Sequence, residues 1–116
     1  MKIYGIKNCD TMKKALKWLD AQGHNYEFHD YKKAGISESL AEHFIKHIDI
    51  ATLINKRGTT YRQLDEASKA KINEGDLEVA KQAMLENPSI IKRPVLERDE
   101  HFLVGFKADE YQTFTQ

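Results

Sequence analysis

The chain of 116 residues contains one cysteine, two prolines and no excess of charge of either sign. A single cysteine excludes an internal disulfide and favours a reducing, cytoplasmic location. A membrane-spanning helix needs about 20 consecutive apolar residues, and no such run is present. The N-terminus also lacks the apolar core of a signal peptide. Eighteen basic residues balance eighteen acidic ones, so we expect neither a nucleic-acid partner nor a membrane partner.

The first thirty residues follow a β-α-β pattern. Residues 2–6 alternate as a short strand does. Apolar residues then recur at helical spacing over residues 12–19, and Gly23 is suitably placed to end that helix. Tyr26 and Phe28 alternate with polar residues and predict a second strand. Two strands joined by one helix favour a parallel pair with a right-handed crossover.

The middle of the chain, about residues 35–88, is predicted to be a helical insert. Either Ser37 or Ser39 can cap its first helix, and Ser39 with Glu42 fits a capping box. Asp76 caps a later helix that an Asn-Pro pair ends. This stretch contains no convincing strand. With no repeat or linker elsewhere, we expect residues 1–116 to form a single domain that carries this insert.

Strand signals return near the C-terminus. Apolar residues within 90–96 and 101–104 lie on either side of a polar turn at 98–100, which predicts a β-hairpin. Residues 108–114 predict a closing helix. A β-α-β unit, a helical insert, then a hairpin and a helix form the outline of an α/β, thioredoxin-like fold with a small mixed sheet.

Cys9 lies where the first strand gives way to the first helix. A thiol there faces unpaired backbone N–H groups and the positive end of the helix dipole, which both favour the thiolate. Lys7, Lys13 and Lys14 add positive charge, whereas Asp10 opposes it. The alternative is a buried structural cysteine, since free cysteines are often buried. The polar residues on both sides of the turn favour the reactive thiol.

Two further positions bear on the chemistry expected of Cys9. Met12 stands where a second cysteine would complete a Cys-x-x-Cys motif, so thiol exchange needs an external thiol such as glutathione. Arg93-Pro94 fits the loop that, in a thioredoxin-type fold, commonly holds a cis X-Pro bond beside the thiol. Arg93 would then hold a thiolate, a carboxylate or an oxyanion. The alternative is a turn proline beside a solvent-facing arginine.

Two other clusters of residues are candidate binding sites. The basic loop over residues 55–62, which includes Arg57, would close over an anionic ligand or simply be solvated. His43 and His47 are spaced to share a metal ion, but no acidic or thiol ligand accompanies them. We therefore predict a solvated helix face there and no metal site.

Three segments together resemble one known family. They are residues 6–15 (IKNCDTMKKA), 53–62 (LINKRGTTYR) and 91–95 (IKRPV). In this order and spacing they resemble the glutaredoxin-linked arsenate reductase (ArsC)/Spx family, and above all its small YffB-like branch. The resemblance extends from Met1 to about Phe114. It implies a thioredoxin-like fold with a helical insert and Cys9 as the single nucleophilic cysteine.

We expect a glutathione-dependent thiol reductase or transferase that binds no cofactor, in which a glutathione or glutaredoxin-like thiol donor resolves the Cys9 adduct. Arg93 and Arg57 would bind an anionic group, Pro94 would shape the wall of the site, and Asn8 and Thr11 would supply hydrogen bonds. The resemblance implies two alternatives. One is arsenate reduction, and the other is an Spx-like, non-catalytic module that binds the RNA polymerase α subunit.

The resemblance weighs against arsenate reduction. Three arginines hold the oxyanion in the arsenate reductases of the family, and Arg93 matches one of them. The second position falls on Asn55, with Arg57 two residues on as a substitute, and the third falls on Gly105. Losing these contacts would remove much of the charge-assisted binding of the anion. Met12 likewise removes the Cys-x-x-Cys redox switch that Spx proteins often carry.

Overall fold

The computed structural model describes residues 1–116 and divides into two compact units. Met1–Ala34 and Arg93–Gln116 form a sheet-containing unit, and Gly35–Lys92 forms a helical unit. None of the helices combines the length and the apolar character needed to span a bilayer. The elements in chain order are β1 (Lys2–Gly5), α1 (Asp10–Ala21), β2 (Glu27–Asp30), α2 (Tyr31–Ala34), α3 (Glu38–His47), α4 (Ile50–Leu53), α5 (Thr59–Arg62), α6 (Glu66–Asn73), α7 (Leu77–Glu86), β3 (Val95–Arg98), β4 (His101–Val104) and α8 (Ala108–Phe114).

The sheet has four strands in the order β2-β1-β3-β4. β1 and β2 are parallel, whereas β1 with β3 and β3 with β4 are antiparallel. The predicted parallel pair and the hairpin are therefore both confirmed, and the molecule has the thioredoxin-like, mixed α/β fold. The hairpin turn consists of Asp99 and Glu100, whose φ angles of 51° and 64° are both positive, as in a type I′ turn.

The core of the sheet-containing unit lies against one face of the sheet. It consists of fully buried residues from β1, α1, β3 and α8, namely Ile3, Met12, Ala15, Leu19, Leu96 and Tyr111. The Tyr111 hydroxyl donates to the carbonyl of Gly105 over 3.0 Å, so the polar group of this buried side chain has a hydrogen-bond partner. Gly5 allows α1 to approach β1 closely, because a Cβ there would lie 2.5 Å from Met12 Sδ.

The helical unit is built around the pairing of α3 with α7. Its fully buried large side chains are Phe44, Leu53, Ile72, Met84, Ile90 and Ile91. Lys81 Nζ on α7 donates to Glu38 over 3.1 Å and to Glu42 over 3.2 Å, which joins the two helices at their surface. Ile54 and Ile91 form an isolated antiparallel bridge. This bridge is the one strand-like pairing of the unit.

Two local predictions were wrong in detail. Ser37 is the residue that caps α3, because its Oγ accepts the N–H of Leu40 over 3.1 Å. The Ser39–Glu42 capping box does not form, since Ser39 lies inside the first turn and Glu42 accepts from Lys81. The hairpin strand predicted from residue 90 begins only at Val95. Residues 88–90 form a 3₁₀ turn that is part of the helical unit instead.

Replacing Asp76 by alanine is expected to lower the free energy of unfolding by about 1 kcal/mol. Asp76 Oδ1 accepts the N–H of Val79 over 3.1 Å and so satisfies one free donor at the start of α7. Asp49 occupies the same N-cap position of α4 but makes no such bond. Asp49→Ala is therefore the matched control, with an expected change below about 0.5 kcal/mol. Equal losses in urea denaturation would contradict this assignment.

Candidate thiol site

Cys9 is the N-cap residue of α1. Its backbone is extended, with φ −115° and ψ 129°, and its carbonyl accepts the N–H of Lys13 over 2.9 Å. The thiol is partly buried. The close approach of α1 to β1 at Gly5 and Met12 holds this end of the helix against the sheet. Cys9 is thus placed by the packed core, at the helix end where N–H groups point outward.

The pKa of the Cys9 thiol is set by opposing effects. Burial raises it, but a hydrogen bond from the Met12 N–H and one from the Arg93 side chain lower it. The charge of Arg93 and the Thr11 N–H act in the same lowering direction. The net result is a pKa below the ordinary value of a thiol. The main stabilising groups are therefore backbone donors and Arg93, rather than the lysines that flank Cys9 in the sequence.

Arg93 and Pro94 form the loop that enters β3. The Arg93–Pro94 peptide bond is cis, as expected for this loop. Pro94 is buried, and its carbonyl accepts the N–H of Gly105 over 2.8 Å. Arg93 is half-buried and hydrogen-bonds to the Cys9 thiol. The loop therefore carries a cation to the thiol from a part of the chain far from it in sequence.

The other candidate residues have different surroundings. Thr11 contributes its backbone N–H, while its side chain is exposed. Asn8 is exposed in the preceding turn, and its side chain makes no hydrogen bond. Arg57 belongs to the helical unit, in the loop after α4, where its N–H donates to Asn55 Oδ1 over 3.3 Å. The structure thus gathers Cys9, Thr11 and Arg93 and leaves Asn8 exposed.

Tyr31 was missed by the sequence reasoning. It begins α2 and is 3% exposed, and its hydroxyl is buried with no hydrogen-bond partner. Burial raises the pKa of Tyr31, Tyr4 adds to that effect, and the charge of Arg93 opposes it. Tyr31 is therefore electrostatically linked to the arginine of the thiol site. No sequence pattern marks it, because a tyrosine after a strand is common in protein cores.

The two histidines of α3 lie next to each other on the helix. The rings of His43 and His47 are 4.8 Å apart between centroids, and His47 Nδ1 lies 3.0 Å from the carbonyl of His43. No group of three or more His, Cys, Asp or Glu side chains is arranged to bind a metal ion.

A family model described as the ArsC family matches residues 4–114 of this chain. The chain belongs to the ArsC family. A solved structure named YffB (PA3664) protein is 48% identical, with a TM-score of 0.89, and the match covers 97% of this chain and 96% of that one. An arsenate reductase (ArsC) related protein from Brucella melitensis is 46% identical, with a TM-score of 0.78 and coverage of 99% and 93%.

Two curated relatives match most of the chain. An uncharacterized protein of Haemophilus influenzae is 43% identical over 110 residues, which is 95% of this chain and 94% of that protein. The global transcriptional regulator Spx of Lactiplantibacillus plantarum is 22% identical over 114 residues, or 97% and 83% of the two chains. An arsenate reductase related protein and an Spx regulator are therefore both among the proteins that this chain resembles.

Two positions of this ArsC-family chain bear on its chemistry. Met12 is fully buried in the core, so the residue three positions after Cys9 supplies no second thiol. Gly105 lies beside the Pro94 loop through its N–H, and its φ of +90° favours glycine. Gly105 has no side chain to offer an anion at this place. The site thus contains one thiol and one arginine.

Proposed function

We propose that this protein is a thiol-based reductase in which Cys9 is the nucleophile and glutathione is the external thiol. One observation carries the proposal. Cys9 is the N-cap residue of α1, and the Met12 N–H and the Arg93 side chain lower the pKa of its thiol. The thiolate is the species that attacks disulfides and other electrophiles, and a lowered pKa increases its fraction. Membership of the ArsC family supports the same chemistry.

The proposed reaction is two successive thiol–disulfide exchanges. With a mixed disulfide of glutathione and a thiol R–SH as substrate, the Cys9 thiolate attacks the glutathione sulfur. The S–S bond breaks, R–S⁻ leaves and takes a proton from water, and Cys9 is left joined to glutathione. A second glutathione thiolate then attacks the glutathione sulfur of this adduct. That step releases oxidised glutathione and restores the Cys9 thiolate, so the two electrons that reduce the substrate come from glutathione.

Each neighbouring residue has a role in this scheme. Arg93 stabilises the Cys9 thiolate both before attack and when it leaves in the second exchange, and it binds an anionic group of the ligand. Pro94 forms the wall beside the sulfur, and the N–H groups of Thr11 and Met12 complete the thiolate environment. Asn8 is exposed and free to hydrogen-bond to a ligand. Arg57 remains a predicted contributor from the helical unit.

Arsenate reduction is the second candidate, because Arg93 beside Cys9 is suited to an oxyanion. The thiolate would displace water from arsenate, and glutathione would attack the Cys9 sulfur. The S–As electron pair would pass to arsenic, giving arsenite and a Cys9–glutathione disulfide. Gly105 and Asn55 offer no charge where the resemblance leads us to expect two further arginines. An Spx-like role in binding the RNA polymerase α subunit rests on the distant Spx relatives alone.

Exposure to oxidised glutathione is expected to add one glutathione to each chain, and reduced glutathione is expected to remove it. Intact-protein mass spectrometry measures both steps, with Cys9→Ser as the control that forms no adduct. A wild-type protein that forms no adduct would contradict the proposal. Arsenate-dependent consumption of NADPH in a glutaredoxin-coupled assay, without activity on disulfides, would favour the arsenate reaction instead. Retention of polymerase α subunit by a protein with neither activity would favour the Spx-like module.

A further inference from the structure

A cavity lies in the helical unit. It has a volume of about 520 Å³ and is formed by the end of α4, the loop after it and Lys92. The buried Ile54 lines it, and Lys56 and Arg57 contribute from the loop. Its size falls within the range of about 300–1,000 Å³ that is typical of ligand sites.

All charged residues that line this cavity are positive. Lys56, Arg57 and Lys92 are all exposed, and no aspartate or glutamate lines the cavity. None of the three forms an ion pair, whereas Lys69 and Lys81 elsewhere in the unit do. In a chain of zero net charge, three cations without carboxylate partners form a local positive field.

The backbone that carries these cations is ordered by hydrogen bonds on both sides. The Asn55 N–H donates to the carbonyl of Ile90 over 2.8 Å, and the Lys92 N–H donates to the carbonyl of Leu53 over 2.8 Å. The Ile54–Ile91 bridge lies between these bonds. The backbone segments that carry the three cations are therefore held in place before a ligand binds, which reduces the backbone entropy lost on binding.

The chemistry of the cavity fits separated carboxylates better than a single phosphate. Phosphate sites commonly use a cradle of free backbone N–H groups. Here the N–H groups of Lys56, Arg57 and Gly58 already donate to Ile54 and Asn55. The donors that remain are side chains, and three of them, Lys56, Arg57 and Lys92, carry a positive charge. Spaced charges of this kind match the carboxylates of an extended acidic peptide.

We propose that this basic cavity, defined by Lys56, Arg57 and Lys92, binds an acidic peptide segment of a partner protein. Lys92 is followed directly by Arg93, so the bound segment is held at the residue next in sequence to the arginine of the thiol site. That the segment belongs to a disulfide substrate of Cys9 rests on the proposed thiol reductase function. Binding of the acidic peptide to this cavity does not depend on that function.

Fluorescence anisotropy with a labelled peptide of alternating glutamate and glycine tests this proposal. The measurement is made in Cys9→Ser protein, so that its outcome does not depend on thiol chemistry. Binding is expected to weaken with added salt and to weaken about tenfold in Lys56→Gln/Arg57→Gln/Lys92→Gln, since three exposed ion pairs are lost. A peptide with glutamine in place of glutamate is expected not to bind.

The matched control removes three exposed lysines from other surfaces, as Lys17→Gln/Lys46→Gln/Lys71→Gln. It is expected to change the affinity by less than about threefold. Equal weakening in both triple variants would overturn the proposal, because the peptide would then sense only total charge. Stronger competition by inorganic phosphate or by an oligonucleotide than by the unlabelled acidic peptide would also overturn it, as would the absence of binding.

Discussion

Cys9→Ser is expected to lower thiol–disulfide exchange by at least about a thousandfold, because a serine hydroxyl is not ionised at neutral pH and forms no disulfide. The folded structure is expected to survive the change. Cys9 is the N-cap of α1, and serine is a preferred residue at that position. The N–H groups of Thr11 and Met12, which lower the pKa of the thiol, would donate to the serine Oγ instead.

The measurement for Cys9→Ser is NADPH consumption with glutathione, glutathione reductase and a small disulfide substrate. Thermal unfolding of the same variant is the control for folding. Lost turnover with an unchanged or raised melting temperature identifies the sulfur as the reacting group. Turnover within about tenfold of wild type would show that Cys9 does not react with the substrate and would remove the basis of the reductase proposal.

Arg93→Ala is expected to raise the pKa of the Cys9 thiol and to slow its alkylation at neutral pH about tenfold. The Arg93 side chain stabilises the thiolate both by a hydrogen bond and by its charge. Without it the neutral thiol is favoured, so the thiolate fraction at pH 7 falls. The midpoint of the profile of iodoacetamide alkylation rate against pH therefore moves to higher pH. Arg93→Lys is expected to restore part of the rate, since lysine keeps the charge but lacks the guanidinium geometry.

Arg62→Ala is the matched control, because Arg62 is an exposed arginine at the end of α5 in the helical unit. Its alkylation profile is expected to overlap that of the wild type. Well above the midpoint, all of these proteins should react at similar rates, since the thiol is then fully ionised. An Arg93→Ala profile that coincides with the wild type would show that the backbone N–H groups alone lower the pKa of Cys9.

The basic loop after α4 was only partly predictable from the sequence. Arg57 and the neighbouring lysine were visible as a positively charged stretch, with ligand binding and solvation as the two alternatives. Lys92 joins them because the Ile54–Ile91 bridge brings two distant segments together. A pairing of this kind depends on tertiary packing, so no local sequence pattern predicts it.

Local structure was the part that the sequence predicted best. The apolar periodicity of α1, the strand alternation near Tyr26 and the closing helix at residues 108–114 all correspond to observed elements. Where the sequence allows two alternative local structures, tertiary packing determines which of them forms. Ser37 caps α3 rather than Ser39, and Ile90 with Ile91 joins the helical unit rather than extending β3.

By itself, the sequence determined that Cys9 lies at the N-terminus of the first helix. It also determined that Met12 occupies the position of the second thiol in a Cys-x-x-Cys motif. Both follow from residues within a few positions of each other, because helix and strand periodicity is a local property. Only the tertiary structure decided what stabilises the thiolate. Arg93 reaches Cys9 because β3 pairs with β1 in the sheet, and the buried Tyr31 is linked to that arginine by the same packing. These groups are distant in sequence, and strand order alone brings them together.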